Sequence, residues 1–210
     1  MSAVLSPPHF SYAEYLAWEE TQELRHEYWG GEVFAMSGGT TRHNTIGGNA
    51  YIALREQTRG TPCRVYMADV KLRVEQANAG FYPDVFVTCS AADSARAQEQ
   101  QDALLIVEVL SPGTERADRG SKFESYRLLP SLQAYVLAAQ DRPHVEAFVR
   151  NAEGRWTLFE ADGIDATLQL PTPQQTFTFL LADLYRDVDF SQPDPAQDEA
   201  VPRSSSGTSA

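Results

Sequence analysis

The chain has 210 residues, 42% hydrophobic and 22% charged, which suits a globular protein with a buried core. Its net charge of −12 argues against a broadly basic surface for nucleic acid, because phosphate neutralisation needs Lys and Arg. No run reaches the ~20 apolar residues that span a bilayer, and MSAVLSPPHF has neither a basic segment nor a long apolar one. A cytoplasmic, membrane-free protein is expected.

SYAEYLAWEE places Tyr12, Ala13, Tyr15 and Leu16 at helical spacing, with Ser11 as N-cap. YWGGEVFAM reads as a hairpin turning at Gly30-Gly31. Thr40 or Thr41 then caps a helix with Ile46, Ala50, Ala53 and Leu54 on one face, ending near Gly60. His43 falls in its first turn. CRVYMADVKLRV alternates apolar and charged residues and predicts one half-exposed strand, with Asp69 on its polar face. FYPDVFVTC is a short apolar strand entered through Pro83, and LLIVEVLS is a fully buried strand. TERADRGSKFESYRLLP is helical and closes at Pro130. SLQAYVLAAQ is a second buried strand, and HVEAFVRNAEGRWTLFEA is a hairpin about Glu153-Gly154.

The resulting order is helix, three strands, helix, strand, then hairpins. It predicts an α/β fold, a mixed sheet with a helix on each side, forming one domain over 1–190. Residues 191–210, rich in Pro, Ser and acids, predict a disordered tail. Asp194, Asp198 and Glu199 against Arg203 put −2 on that tail and leave −10 on the body. Cys63 and Cys89 are read as reduced, structural thiols.

The chemistry concentrates on two carboxylates. Tyr82, Asp84 and Phe86 share one strand face, and Leu104, Ile106, Glu108 and Leu110 share another. If these strands are neighbours, Asp84 and Glu108 lie side by side. Two desolvated carboxylates repel, and a divalent cation removes both penalties. Their hard oxygens suit Mg²⁺, with Mn²⁺ as a substitute. Lys122, on the next helix, adds a positive group, with Tyr126 and Leu129 at i+4 and i+7 on its face. His43, Asp69 and Glu32 are weaker candidates. GxxxxGK[ST], HExxH and GxSxG are absent.

The segments GGEVFAMSGGTTRHNTIGGN and YPDVFV, and the block from LLIVEVLSPGTERADRGSKFESYRLL onward, resemble the Uma-type restriction endonucleases of the PD-(D/E)XK nuclease superfamily. The resemblance covers about residues 10 to 190. It implies a restriction-endonuclease-like αβββαβ core and a Mg²⁺-dependent site acting on DNA. Pro83-Asp84 matches the PD motif, and Glu108 matches the acidic residue of the second motif. The superfamily lysine two places later is Leu110 here, and the resemblance moves the lysine to Lys122. It also matches His43 and Asp69 to recurrent positions.

The reading is therefore an endonuclease with Asp84, Glu108 and Lys122 as catalytic residues. Asp84 and Glu108 hold the metal, and Tyr126 and His43 line the site. A two-fold homodimer suits cleavage of both strands. Specificity is expected in loops such as residues 90–102. One rival is a nuclease-fold module that binds or assembles without cutting. Another is a structural protein whose buried carboxylates pair with Arg64, Arg73 or Arg127.

Overall fold

The structure, a computed structural model, describes residues 9–36 and 38–191. Helix α1 (Tyr12–Glu19) starts as expected. Ser11 Oγ accepts the Glu14 N–H and the Glu14 carboxylate accepts the Ser11 N–H, a reciprocal cap. Strands β1 (His26–Trp29) and β2 (Glu32–Ala35) form the expected hairpin. Its turn residues Gly30 and Gly31 have φ of 60° and 102°, conformations that favour glycine. Helix α2 (Thr41–Gln57) is capped by Thr40, whose Oγ1 accepts the His43 N–H at 3.1 Å.

Residues 63–74 depart from expectation. They form two strands, β3 (Arg64–Met67) and β4 (Lys71–Val74), which belong to different sheets. The break is at Ala68, whose φ of 36° takes the chain out of extended geometry. Strand β4 is not half-exposed: Lys71 and Arg73 are only 7% and 8% exposed. Aromatic rings of α1 cover them. The Lys71 ammonium lies 4.4 Å from the Tyr15 ring centroid, and the Arg73 guanidinium 3.5 Å from that of Tyr12. The chain has only two lysines, Lys71 and Lys122, and both are buried.

Strand β5 (Ala79–Phe81) pairs with β1 and β4, and β6 (Val85–Thr88) pairs with β3. The segment 89–102 is ordered around Asp93. It holds helix α3 (Ala91–Ser94) and strand β7 (Glu99–Gln100), and the Asp93 carboxylate accepts from Arg96 and from the Gln101 and Asp102 N–H groups. Strand β8 (Ala103–Leu110) is buried throughout. The helical run that follows comprises α4 (Glu115–Ala117), a π turn over Asp118–Lys122, and α5 (Phe123–Tyr126). Strand β9 (Ala134–Ala139) and the hairpin β10 (His144–Arg150) and β11 (Trp156–Asp162) come next. The hairpin β12 (Thr167–Pro171) and β13 (Thr176–Leu180) and helix α6 (Leu181–Leu184) close the described chain.

Two main sheets result, where one was expected. The first runs β2-β1-β5-β4-β7 and the second β11-β10-β9-β8-β6-β3. The second contains the expected αβββαβ order as α2, β3, β6, β8, the helical run and β9. Strand β8 is central, antiparallel to β6 and parallel to β9. Its alternating side chains serve two cores. Leu105, Val107 and Val109 pack with Ile46, Ala50 and Leu54 of α2. Ile106 and Leu110 pack with Tyr126 and Leu129 of the helical run. Each fully buried side chain of this kind contributes about 1.5–3 kcal/mol.

The cysteines correct the sequence reading: Cys63 and Cys89 form a disulfide. The β3–β6 register sets Arg64 opposite Thr88, so the residues just beyond them face each other across the pair. That proximity depends on register and is invisible in the spacing of the two cysteines. The expected tail lies, apart from Ser191, outside the described residues. No helix among the described residues is long and apolar enough to cross a membrane.

The α2 cap positions His43, so its loss is measurable. Thr40→Ala is expected to cost about 1 kcal/mol. It should lower Tm by about 2–4 °C in a thermal melt.

Candidate active site

Strand register builds the centre. Val85 pairs with Val107, which sets Asp84 opposite Glu108. Each carboxylate is tied to the other's strand. The Asp84 N–H donates to Glu108 Oε2 at 3.1 Å, and the Val109 N–H donates to Asp84 Oδ2 at 2.7 Å. The Tyr82-Pro83-Asp84 segment carries the chain from β5 in the first sheet to β6 in the second, so the two sheets meet here.

After β8 the chain turns at Ser111-Pro112-Gly113. The Thr114 and Glu115 N–H groups donate to the Ser111 carbonyl at 3.1 and 2.8 Å, which starts the helical run. Its π turn ends at Lys122. The Tyr135 hydroxyl donates to the Asp118 carbonyl at 2.8 Å, giving that carbonyl a partner outside the turn. Single π turns of this kind recur at functional sites.

Lys122 Nζ meets three carboxylates: Glu27 at 2.9 Å, Asp118 at 3.3 Å and Glu108 at 3.6 Å. The Tyr126 hydroxyl donates to Glu108 Oε1 at 2.9 Å. His43 Nε2 lies 3.3 Å from Asp84 Oδ2. The structure thus brings together Asp84, Glu108, Lys122, Tyr126 and His43.

Glu32 and Asp69 are placed elsewhere. Glu32 is exposed on β2, and Asp69 is exposed and pairs with Arg25 at 3.0 Å. The arginines considered as structural partners also lie elsewhere. Arg73 bonds Asn78 and the Ala79 carbonyl, and Arg64 bonds the Pro62 and Cys63 carbonyls. Among the described residues, no bond or ion pair joins the Arg127 side chain to either carboxylate; the cation beside Glu108 is Lys122.

Two members of the site escaped the sequence reading. Asp118 was within reach: it stands four residues before Lys122, as Tyr126 stands four after, one stripe of a helix. Glu27 had only a weak signal, a carboxylate on a short apolar strand. It arrives from the first sheet, where its carboxylate also accepts the Tyr82 N–H at 3.4 Å.

The electrostatics follow from burial. Glu108 is 3% exposed, and burial pushes its carboxyl well above the ordinary range, while Lys122 pulls it back. Burial likewise raises Asp118 against the pull of Lys122. Burial works to lower the Lys122 ammonium, but Glu108, Glu27 and Asp118 outweigh it and hold the group above its usual value. It therefore stays charged. Burial also opposes the charge on His43, and the hydrogen bond and charge of Asp84 overcome it, so His43 is raised. The donor set is oxygen-rich and hard. Elsewhere among the described residues, His144, Glu146 and Glu160 bring one ligand atom each within 4.8 Å of one another, but Glu146 already binds Arg119.

Two measurements check this arrangement. Lys122→Met leaves three carboxylates without their shared cation and is expected to cost about 3–5 kcal/mol in denaturant unfolding. The His43–Asp84 pair should appear in the pH titration of His43 ring protons. A His raised in the folded state adds stability that is complete below its unfolded pKa and lost as pH rises through the folded value. Asp84→Asn should lower the His43 pKa and remove that contribution; an unchanged titration would contradict the pairing.

Known proteins resemble this chain over most of its length. A protein of Synechocystis sp. (strain ATCC 27184 / PCC 6803 / Kazusa), "Uncharacterized protein slr1290", is 33% identical over 183 residues, covering 87% of this chain and 95% of that one. A second from the same strain, "Uncharacterized protein sll1609", is 30% identical over 161 residues, covering 75% and 90%. A solved structure described as a "putative nuclease belonging to DUF820 from Anabaena variabilis ATCC 29413" superposes with a TM-score of 0.65 at 16% identity. It covers 84% of this chain and 97% of that chain. The mixed α/β core is thus restriction-endonuclease-like. Residues 12–182 match the Uma2 family, described as "Putative restriction endonuclease", and the chain belongs to that family.

Proposed function

We propose that this protein is a metal-dependent endonuclease that hydrolyses phosphodiester bonds in DNA. The observation that carries the reading is the cross-strand pairing of Asp84 with Glu108 beside Lys122. Asp84 Oδ2 and both Glu108 oxygens are engaged, while Asp84 Oδ1 takes no hydrogen bond among the described residues. Two carboxylates are what Mg²⁺ typically takes from protein, with water and phosphate filling the rest. Asp84 and Glu108 would hold Mg²⁺, or Mn²⁺ in its place; the ion would polarise the phosphate and acidify a water.

The remaining roles belong to the chain. Lys122 is held charged, so it steadies negative charge building on the phosphate rather than taking a proton. His43 and the Val109 N–H orient the Asp84 carboxylate, and the Tyr126 hydroxyl orients that of Glu108. A two-fold homodimer would present one site to each strand of a duplex.

A second reading, a nuclease-fold module that binds without cutting, draws on the closed contacts of Lys122 with three carboxylates. Plasmid cleavage separates the two. Wild type is expected to nick or linearise supercoiled DNA with Mg²⁺ or Mn²⁺ and not with EDTA. The isosteric variants Asp84→Asn and Glu108→Gln should each lose at least about 100-fold in rate. Full activity in Asp84→Asn would end the endonuclease reading. No heat on metal titration and no metal-induced change in Tm would support the binding module.

A further inference from the structure

Beyond the carboxylate site, positive charge gathers at the far end of α2, against the acidity of the whole chain. Arg55, Arg59 and Arg64 line a cleft of about 230 Å³, together with Glu56. Locally this is a net +2 on a protein of net charge −12. Glu56 is taken up by Arg59, at 2.6 Å. The Arg64 guanidinium is anchored by the Pro62 and Cys63 carbonyls at 3.2 and 3.1 Å, which aims it without neutralising it. Arg55 makes no side-chain hydrogen bond or ion pair among the described residues.

The frame beneath these arginines is fixed. The Thr58 hydroxyl donates back to the Leu54 carbonyl, and the Thr61 hydroxyl donates to the Thr58 carbonyl and accepts the Cys63 N–H. Cys63 is further tied to β6 through Cys89. The hydroxyls are thus spent on the loop, and the free donors are guanidiniums. Guanidinium pairs with phosphate through two parallel N–H bonds, and a preset guanidinium loses little freedom on doing so.

We propose that the Arg55–Arg64 cleft binds a backbone phosphate of nucleic acid, as a second anchor apart from the cutting site. The inference rests on the nuclease reading for the identity of its ligand. The spacing fits that role. On α2 (17 residues) His43 and Arg55 are twelve residues apart, about 18 Å along the axis, and Arg64 pairs with Thr88, four extended residues or about 13 Å from Asp84. His43 touches Asp84 at one end, and the cleft is at the other. These separations correspond to roughly four to five base pairs of duplex at 3.4 Å each. The anchor would therefore engage the backbone well away from the scissile bond, without reading sequence.

The test is fluorescence anisotropy with a labelled 20-base-pair duplex and the full chain, in EDTA so that no cutting intervenes. The double variant Arg55→Ala/Arg64→Ala is compared with Arg155→Ala, an exposed arginine on the β10–β11 turn. The double variant is expected to bind about tenfold more weakly, equally for unrelated sequences, and its salt slope should fall by about 1. Arg155→Ala should bind as wild type. Unchanged affinity and slope in the double variant, or an equal loss in Arg155→Ala, would overturn the proposal. So would a loss of pyrophosphate binding with duplex binding intact, which would mark the cleft as a site for free phosphate. Because binding is read without metal, a protein that holds DNA through the cleft yet never cuts would leave this proposal standing and end the endonuclease reading alone.

Discussion

The buried carboxylate of Glu108 is the constraint around which the rest is arranged. It sits in the central strand of the larger sheet, where a lone charge would cost several kcal/mol, roughly, even after relaxation. Each neighbour answers that cost. The Asp84 N–H and the Tyr126 hydroxyl donate to its two oxygens, and Lys122 supplies the opposite charge. Lys122 is itself too buried to stand alone, which brings Glu27 and Asp118 to it. The site is a chain of compensations, with Asp84 at its more open edge.

That chain explains why two sheets are needed. The larger sheet delivers Asp84 and Glu108, and the helical run delivers Asp118, Lys122 and Tyr126. Only the smaller sheet brings Glu27 to the same cation. The 82–84 segment joins the sheets and carries Asp84 itself, so packing between the sheets and geometry at the site are coupled. The first helix contributes at a distance, covering Lys71 and Arg73 with the rings of Tyr15 and Tyr12.

Much of this was legible in the residues. The eight-residue buried strand announced Glu108, strand parity announced Asp84, and helical spacing linked Lys122 to Tyr126. Local periodicity reports which face a side chain takes within its own element. It does not report which sheet an element joins, so it leaves Glu27 unplaced and makes residues 63–74 look like one strand. The same blindness hid the partners of Lys71 and Arg73: alternation reads as exposure unless the covering rings are known. The disulfide is a further case, since two cysteines 26 residues apart become neighbours only through the β3–β6 register. Asp118 differs, because its place four residues before Lys122 was visible without any tertiary knowledge.

The burial of both lysines has a consequence for the outer face of the molecule. Every exposed cationic side chain other than histidine is an arginine, and guanidinium does not lose its proton at any pH a protein survives. The arginine part of the surface charge is therefore constant, and on acidification the change comes from carboxylates and histidines. Acidification strips negative charge while leaving every arginine in place. The pH dependence of the surface charge thus comes from the acids and histidines, while the arginines hold their charge in place.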